Sequence, residues 1–227
     1  MKSPQFACLA LAAAFGLAAA ALPARADSIS ASVVLNTSGL TGGGPFEVNF
    51  QLNDGSGSGD GNNTLTLSNF DFGTGSAGSV DTANSSNYSG TLASGFTLKD
   101  TLAFNNVAAF FTPGNQISFD LTDSYTSLDS PEPDDFVFQI YDGVNLIPTT
   151  ATDGTDSLIE LNITTTPSPL LYGGDGSDGN GASFGTAAPT FTPSPATVPE
   201  PAPLLLLATG LGLLLAFRAR RSMPAGR

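Results

Sequence analysis

The residues in this 227-residue chain best suited to chemistry are oxygen donors in one glycine-rich stretch, Asp54-Gly55-Ser56-Gly57-Ser58-Gly59-Asp60-Gly61-Asn62. Oxygen-bearing side chains recur at every second position and Gly59 stands sixth, where a calcium-binding loop makes its sharp turn. Ca2+ takes six to eight oxygen ligands, so Asp54, Ser56, Ser58, Asp60 and Asn62 are candidate ligands. The twelfth position is Leu65, where such loops carry a bidentate Glu, so that ligand is missing. The neighbouring acids Asp134 and Asp135 complete the candidate set, and the competing reading is a plain flexible turn. A second stretch, Gly173 to Asp178, matches the start of a calcium-binding β-roll nonapeptide, but Asn180 stands at its aliphatic position and no second copy follows.

Other chemistries are excluded by inventory. The chain has no histidine, which removes Ser-His-Asp triads, histidine general bases and histidine metal sites. Its single cysteine, Cys8, lies in an N-terminal apolar run, so the rest of the chain has no disulfide, thiolate ligand or thiol nucleophile. Between Asp27 and Pro199 there are sixteen Asp and three Glu against one basic residue, Lys99. Such a surface repels phosphodiesters, and divalent cations would relieve its self-repulsion. Lys99, between Leu98 and Asp100, reads as a strand end beside an acid and not as a catalytic amine. Carboxylate pairs of the glycosidase kind are available, but acids in glycine-rich loops are usually solvated turn residues, so the expectation is a protein that is not an enzyme.

The elements that must carry the loop show a period of two. Phe46, Val48, Phe50 and Leu52 alternate with polar residues, as a half-buried strand requires. Leu65 and Leu67 form a second run whose phase changes near Asn69 before Phe70 and Phe72, the signature of a bulge. Further strands are predicted at Ile117 to Leu121, Phe136 to Ile140 and Leu158 to Ile163, with weaker ones at 29–35, 91–98, 102–111 and 144–147. Gly, Pro, Asn and Asp clusters separate them, among them Gly42 to Pro45, Gly73 to Gly78, Thr112 to Asn115 and Ser130 to Pro133. No sustained 3.6-residue stripe occurs between Asp27 and Thr166. The pattern predicts an all-β domain, an antiparallel sandwich or jelly roll over residues 27–165. Residues 166–197, rich in Pro, Gly, Ser and Thr, read as a stalk, with Leu170, Leu171 and Tyr172 as a last strand against the domain.

Both ends read as targeting segments. Lys2, the apolar run from Phe6 to Leu22 and the small residues Ala24 and Ala26 around Arg25 form a secretory signal peptide over residues 1–26. At the other end, Pro199-Glu200-Pro201 precedes an apolar run from Leu204 to Phe217, and Arg218, Arg220 and Arg221 follow as a stop-transfer cluster. Fourteen apolar residues reach roughly 21 Å as a helix against a hydrocarbon core of roughly 30 Å, short for a stable span. The expected organisation is a membrane helix over about 202–217 within a sorting segment 198–222, and a cytoplasmic tail 223–227.

This tripartite tail resembles the PEP-CTERM sorting signal of exported proteins in Gram-negative bacteria. The resemblance implies an exosortase-type membrane protease as partner, with Pro199, Glu200 and Pro201 as the processing motif. It further implies a membrane-anchored precursor that becomes a cell-surface or matrix protein associated with exopolysaccharide and biofilm. Tails of this kind also bear a family name referring to ice-binding proteins, yet no flat, regular Thr array accompanies this one. The expected function is therefore a non-catalytic exported surface or matrix component. The alternatives are a Ca2+-dependent carbohydrate-binding module recognising extracellular polysaccharide, and a plain single-pass anchored surface protein. With no Trp and only Tyr88, Tyr125, Tyr141 and Tyr172, the chain is poorly supplied with sugar-stacking rings. If the signal peptide is read correctly, mass spectrometry of the secreted protein gives Asp27 as its first residue, and an N-terminus inside the run from Phe6 to Leu22 would overturn that assignment.

Overall fold

A computed structural model describes residues 27–41, 43–128, 131–143, 145–175, 185 and 187–194. Ala24 and Ala26, the Pro199-Glu200-Pro201 motif, the expected membrane helix and Arg218, Arg220 and Arg221 lie outside the described residues. Twelve strands follow in order: β1 (Asp27–Asn36), β2 (Phe46–Asn53), β3 (Asn63–Asp71), β4 (Ser76–Ser86), β5 (Tyr88–Thr91), β6 (Gly95–Lys99), β7 (Phe104–Thr112), β8 (Gln116–Tyr125), β9 (Asp135–Tyr141), β10 (Ile159–Asn162), β11 (Leu170–Leu171) and β12 (Thr190–Pro193). They form two six-stranded antiparallel sheets, ordered β12-β1-β8-β3-β6-β5 and β11-β10-β9-β2-β7-β4.

The pairings β1 with β8, β2 with β7 and β3 with β6 are those of one long antiparallel ribbon folded over itself, the topology of a jelly roll. β5 stays beside β6 as a hairpin. β9, β10 and β11 extend the second sheet past β2, and β12 covers the outer edge of β1. An unpaired strand edge invites association with other chains, and the covering strand removes that edge from β1.

The interior is built by the alternation itself. Phe46, Val48, Phe50 and Leu52 of β2 point inward with Leu65 and Leu67 of β3, Ile117, Phe119 and Leu121 of β8 and Phe136, Phe138 and Ile140 of β9, and all are buried. Phe50 stacks on Phe138 at 5.1 Å and meets Phe119 edge-on at 5.2 Å, so one ring ties the two sheets together. The phase change near Asn69 is a register shift between Ser68 and Asp71 against β8. Asn69 has φ +54° there and donates its side-chain amide to Asp120 Oδ2 at 2.8 Å. The shift turns Phe72 into the core and leaves Phe70 packed against it.

Three features differ from expectation. β4 occupies a stretch whose first residues read as turn, and its eleven residues carry no alternating apolar face, since only Val80 packs on the core. It is a strand because the edge of β7 supplies its hydrogen bonds, a tertiary cause invisible to periodicity. The segment read as a stalk contributes, besides the strand expected at Leu170 to Tyr172, which is β11, a second strand, β12, to the other sheet, with Leu171 and Phe191 as anchors on the core. Among the described residues of 145–147 there is no strand, only a bridge between Tyr141 and Leu146 and a bond from Ile147 N–H to the Ile140 carbonyl at 2.9 Å.

The largest correction concerns the membrane. Among the described residues no helix is long and apolar enough to cross a bilayer, and the sole helical element is the three-residue 3-10 turn Ser38–Leu40. The described residues thus form a two-sheet β-domain in which no transmembrane helix is found, and the run expected to form one lies outside them. The membrane-anchored precursor and the surface-protein function that depended on that anchor lose their structural support. The apolar run at the C-terminus was already short for a bilayer, and a length below the hydrocarbon thickness is the physical weakness of that expectation.

Replacing Phe50 by Ala removes the ring that joins both sheets. The expected cost is about 3–5 kcal/mol of unfolding free energy, read from the urea denaturation midpoint at unchanged m-value.

Candidate metal centre

Core-facing rows of a sandwich have to end somewhere, and here six of them end in acids or amides at the same end of the domain. Continuing the inward phase two residues past Leu52 of β2 reaches Asp54, past Leu98 of β6 reaches Asp100, and past Leu121 of β8 reaches Asp123. Stepping back two from Leu65 gives Asn63, from Val107 gives Asn105, and from Phe136 gives Asp134. All six are at most 6% exposed. Strand registers sort them by depth. Asp123 lies opposite Leu65, one row inside Asn63, which lies opposite Tyr125. Asn105 lies opposite Leu52, one row inside Asp54.

The glycine-rich connection from β2 to β3 closes over this end. Gly57, Gly59 and Gly61 all have φ between +71° and +74°, left-handed values that bend the loop back at alternate residues. A Cβ on Gly59 would lie 2.5 Å from the Thr101 carbonyl, so the loop rests directly on the backbone after Asp100. Asp54 is the hub of the loop. It accepts from Ser56 Oγ at 2.6 Å and from Asp60 N–H at 2.9 Å. Asp100 accepts from Asn63 N–H at 3.0 Å, Asp134 from Gly55 N–H at 2.8 Å, and the Asn63 side-chain amide donates to Asp134 Oδ2. Asn105 closes the opposite side by donating to the carbonyls of Leu52 and Leu102.

One carboxylate oxygen from each of Asp54, Asp60 and Asp100 lies within 4.8 Å of the others. Ca2+–O distances are about 2.3–2.6 Å, so ligands on opposite sides of one ion stand up to about 5 Å apart, and the three acids fit around a single ion. Asp60 is exposed and faces solvent while Asp54 and Asp100 are buried, which gives the site a mouth. Hard, anionic oxygen ligands without nitrogen or sulfur select Ca2+ or Mg2+, and a loop hinged on three left-handed glycines favours the larger, geometrically tolerant Ca2+.

Electrostatics point the same way. Burial pushes the Asp123 carboxyl up to about 8, with the neighbouring Asp134 and Asp100 charges adding to it. Asp100 is likewise raised by burial, and further by the charges of Asp60 and Asp54, against lowering hydrogen bonds from the Asn63 N–H and the Asp134 side chain. In Asp54 burial is outweighed by bonds from Ser56 and from the N–H groups of Asp60, Gly57 and Gly59, and its carboxyl is held below the usual range. Among the described residues, Asp100 Oδ1, Asn63 Oδ1 and both oxygens of Asp123 accept no hydrogen bond.

Of the ligands expected from sequence, Asp54 and Asp60 meet in the cluster, and Asp134 joins it through Gly55 and Asn63. Ser56 and Ser58 are exposed and bond to each other at 2.8 Å, with Ser56 supporting Asp54. Asn62 bonds both oxygens of Asp60, bracing that ligand. Asp135 falls outside the cluster. Successive strand residues point to opposite faces, and Asp135 stands beside Asn53 and Glu160, where burial and Glu160 push its carboxyl up to about 6. Asp100 and Asp123 were missed although the signal was present, since each continues an apolar period-two row by one more step. Of the four tyrosines, Tyr125 is buried and Tyr88, Tyr141 and Tyr172 are half-buried.

Comparison with family models, curated proteins and solved structures finds no match for this chain. The PEP-CTERM resemblance therefore rests on its motif alone.

In metal-free protein the raised acids set a definite pH dependence. An unfolded Asp ionises near pH 3.9, whereas folded Asp123 keeps its proton to about pH 8 and Asp135 to about pH 6. The folded state thus binds more protons between these values, and stability falls as pH rises through them. Melting temperatures in chelator are expected to decline from pH 5 to pH 8.5, and Asp123→Asn should flatten most of that slope.

Proposed function

We propose that this chain is a non-catalytic calcium-binding β-sandwich whose ion joins the β2–β3 loop to the β6–β7 connection. The observation that carries the reading is the meeting of Asp54, Asp60 and Asp100 over a layer of buried acids, Asp100 with an oxygen that no described group satisfies. Burying a carboxylate without a partner costs several kcal/mol, and the stretch from Asp27 to Pro199 has a single Lys to offset its nineteen acids. A divalent ion satisfies both the charge and the open coordination. The role that follows is mechanical. The ion fixes a glycine-rich loop that has little apolar contact of its own, and adds to the stability of the sandwich.

Ligand linkage provides the test. At a Ca2+ concentration 100-fold above the dissociation constant, the folded state gains about 2.7 kcal/mol, which is about 5–10 °C in Tm for a domain of this size. Calorimetric melting of the chelated protein with and without millimolar Ca2+ should show that rise. Asp54→Asn and Asp100→Asn should each abolish most of it, whereas Ser58→Ala, at an exposed position outside the cluster, should keep it. A wild-type melting curve indifferent to Ca2+ would refute the reading.

A further inference from the structure

Asp100 lies in the connection 100–103 between β6 and β7, outside any strand, yet its carboxylate has to meet those of Asp54 and Asp60 at one point. Its own backbone is bound on the side of the β2–β3 loop. The N–H donates to the Asn63 carbonyl at 3.5 Å, and the carbonyl accepts from Gly61 N–H at 3.3 Å. The residues on either side of Asp100 are bound by a third element. The Asn87 side-chain amide donates to the Lys99 carbonyl at 2.5 Å and to Thr101 Oγ1 at 2.8 Å, and also to Asn105 Oδ1. Asn105 in turn holds the same connection, accepting from Leu102 N–H at 3.2 Å and donating to the Leu102 carbonyl at 2.7 Å. One amide thus grips the chain just before and just after the acid.

Topology puts Asn87 in a position to do more than brace a loop. It is the residue between β4 and β5, which are edge strands of opposite sheets, and it holds φ +55°, a left-handed value that Asn tolerates better than most residues. We propose that Asn87 is a positioning residue of the metal centre: by clamping both neighbours of Asp100 it sets that carboxylate on the ion, and it couples ion binding to the two edge strands it joins. The inference rests on the calcium reading above and adds to it the element that orients Asp100. Groups that orient a metal's ligands without touching the metal typically govern affinity by about 10- to 100-fold. Coupling of this kind is reciprocal, so an ion whose affinity depends on Asn87 also steadies the junction of β4 and β5.

The experiment compares Asn87→Gly with Asn69→Gly in the full chain. Glycine accepts the positive φ at either position and removes only the side chain. Asn69 is the matched control, a left-handed asparagine whose amide bonds Asp120, six residues along β3 from Asn63. Titration of Ca2+ into chelator-treated protein, followed calorimetrically, is expected to give a dissociation constant about 10-fold or more above wild type in Asn87→Gly and an unchanged one in Asn69→Gly, even where both variants lower Tm in chelator. A purely structural role would lower Tm equally with and without Ca2+ and leave the constant at its wild-type value, and that result would overturn the inference while the calcium reading stands. Wild-type protein that binds no Ca2+ would overturn the calcium reading and this inference with it. Hydrogen exchange over residues 76–91 should be slowed by Ca2+ in the wild type and not in Asn87→Gly, and a wild-type rate indifferent to Ca2+ would overturn the coupling to the edges. Should Asn87→Gly fail to fold, Thr101→Val removes one acceptor of the clamp at an exposed position. A raised constant in that variant supports the inference and an unchanged one refutes it.

Discussion

A carboxylate inside a protein must be protonated, paired or bound to a metal, and this sandwich places four of them where its core-facing rows run out. Asp54, Asp100, Asp123 and Asp134 are buried, each two residues along its strand phase from a buried apolar residue such as Leu52 or Phe136. Every other feature of that end answers to them. The glycine loop turns its N–H groups toward Asp54, Asn63 spends its backbone and side-chain donors on Asp100 and Asp134, and Asn62 braces Asp60. These bonds satisfy part of the demand, and Asp100 Oδ1 and both oxygens of Asp123 are left without a donor among the described residues.

The folded ribbon explains why such distant residues meet. Pairing β2 with β7 and β3 with β6 brings the β2–β3 loop against the β6–β7 connection, which delivers Asp60 and Asp100 to one point. β9 joining β2 on its other side supplies Asp134, and β8 joining β3 supplies Asp123. The acidic end thus couples a local loop to non-local strand pairings, which are the slow and costly part of forming an all-β domain.

The aromatic core and the acidic end divide the work of holding the sheets together. Phe50, Phe119 and Phe138 lock the middle by packing. That contribution is insensitive to pH and to metals. The acidic end holds the titratable groups, so conditions that ionise Asp123 should loosen this end while the packed middle persists. The far edge strands β11 and β12 close the sheets with few apolar anchors, Leu171 and Phe191, and depend on the rest being formed.

Local chemistry made much of this legible in advance. Alternation over three to five residues located β2, β3, β8 and β9, the phase change at Asn69 located a bulge, and the glycine spacing singled out Asp54 and Asp60, because each of these properties is carried by neighbours along the chain. β4 was not legible, since its Ser- and Asn-rich residues have no apolar face and only the edge of β7 makes them a strand. The roles of Asp100 and Asp123 and the exclusion of Asp135 belong to the tertiary structure as well. Strand phase places an acid inside or outside, but which inward acids converge is decided by which strands pair, and pairing is a property of the whole chain and not of any stretch of it.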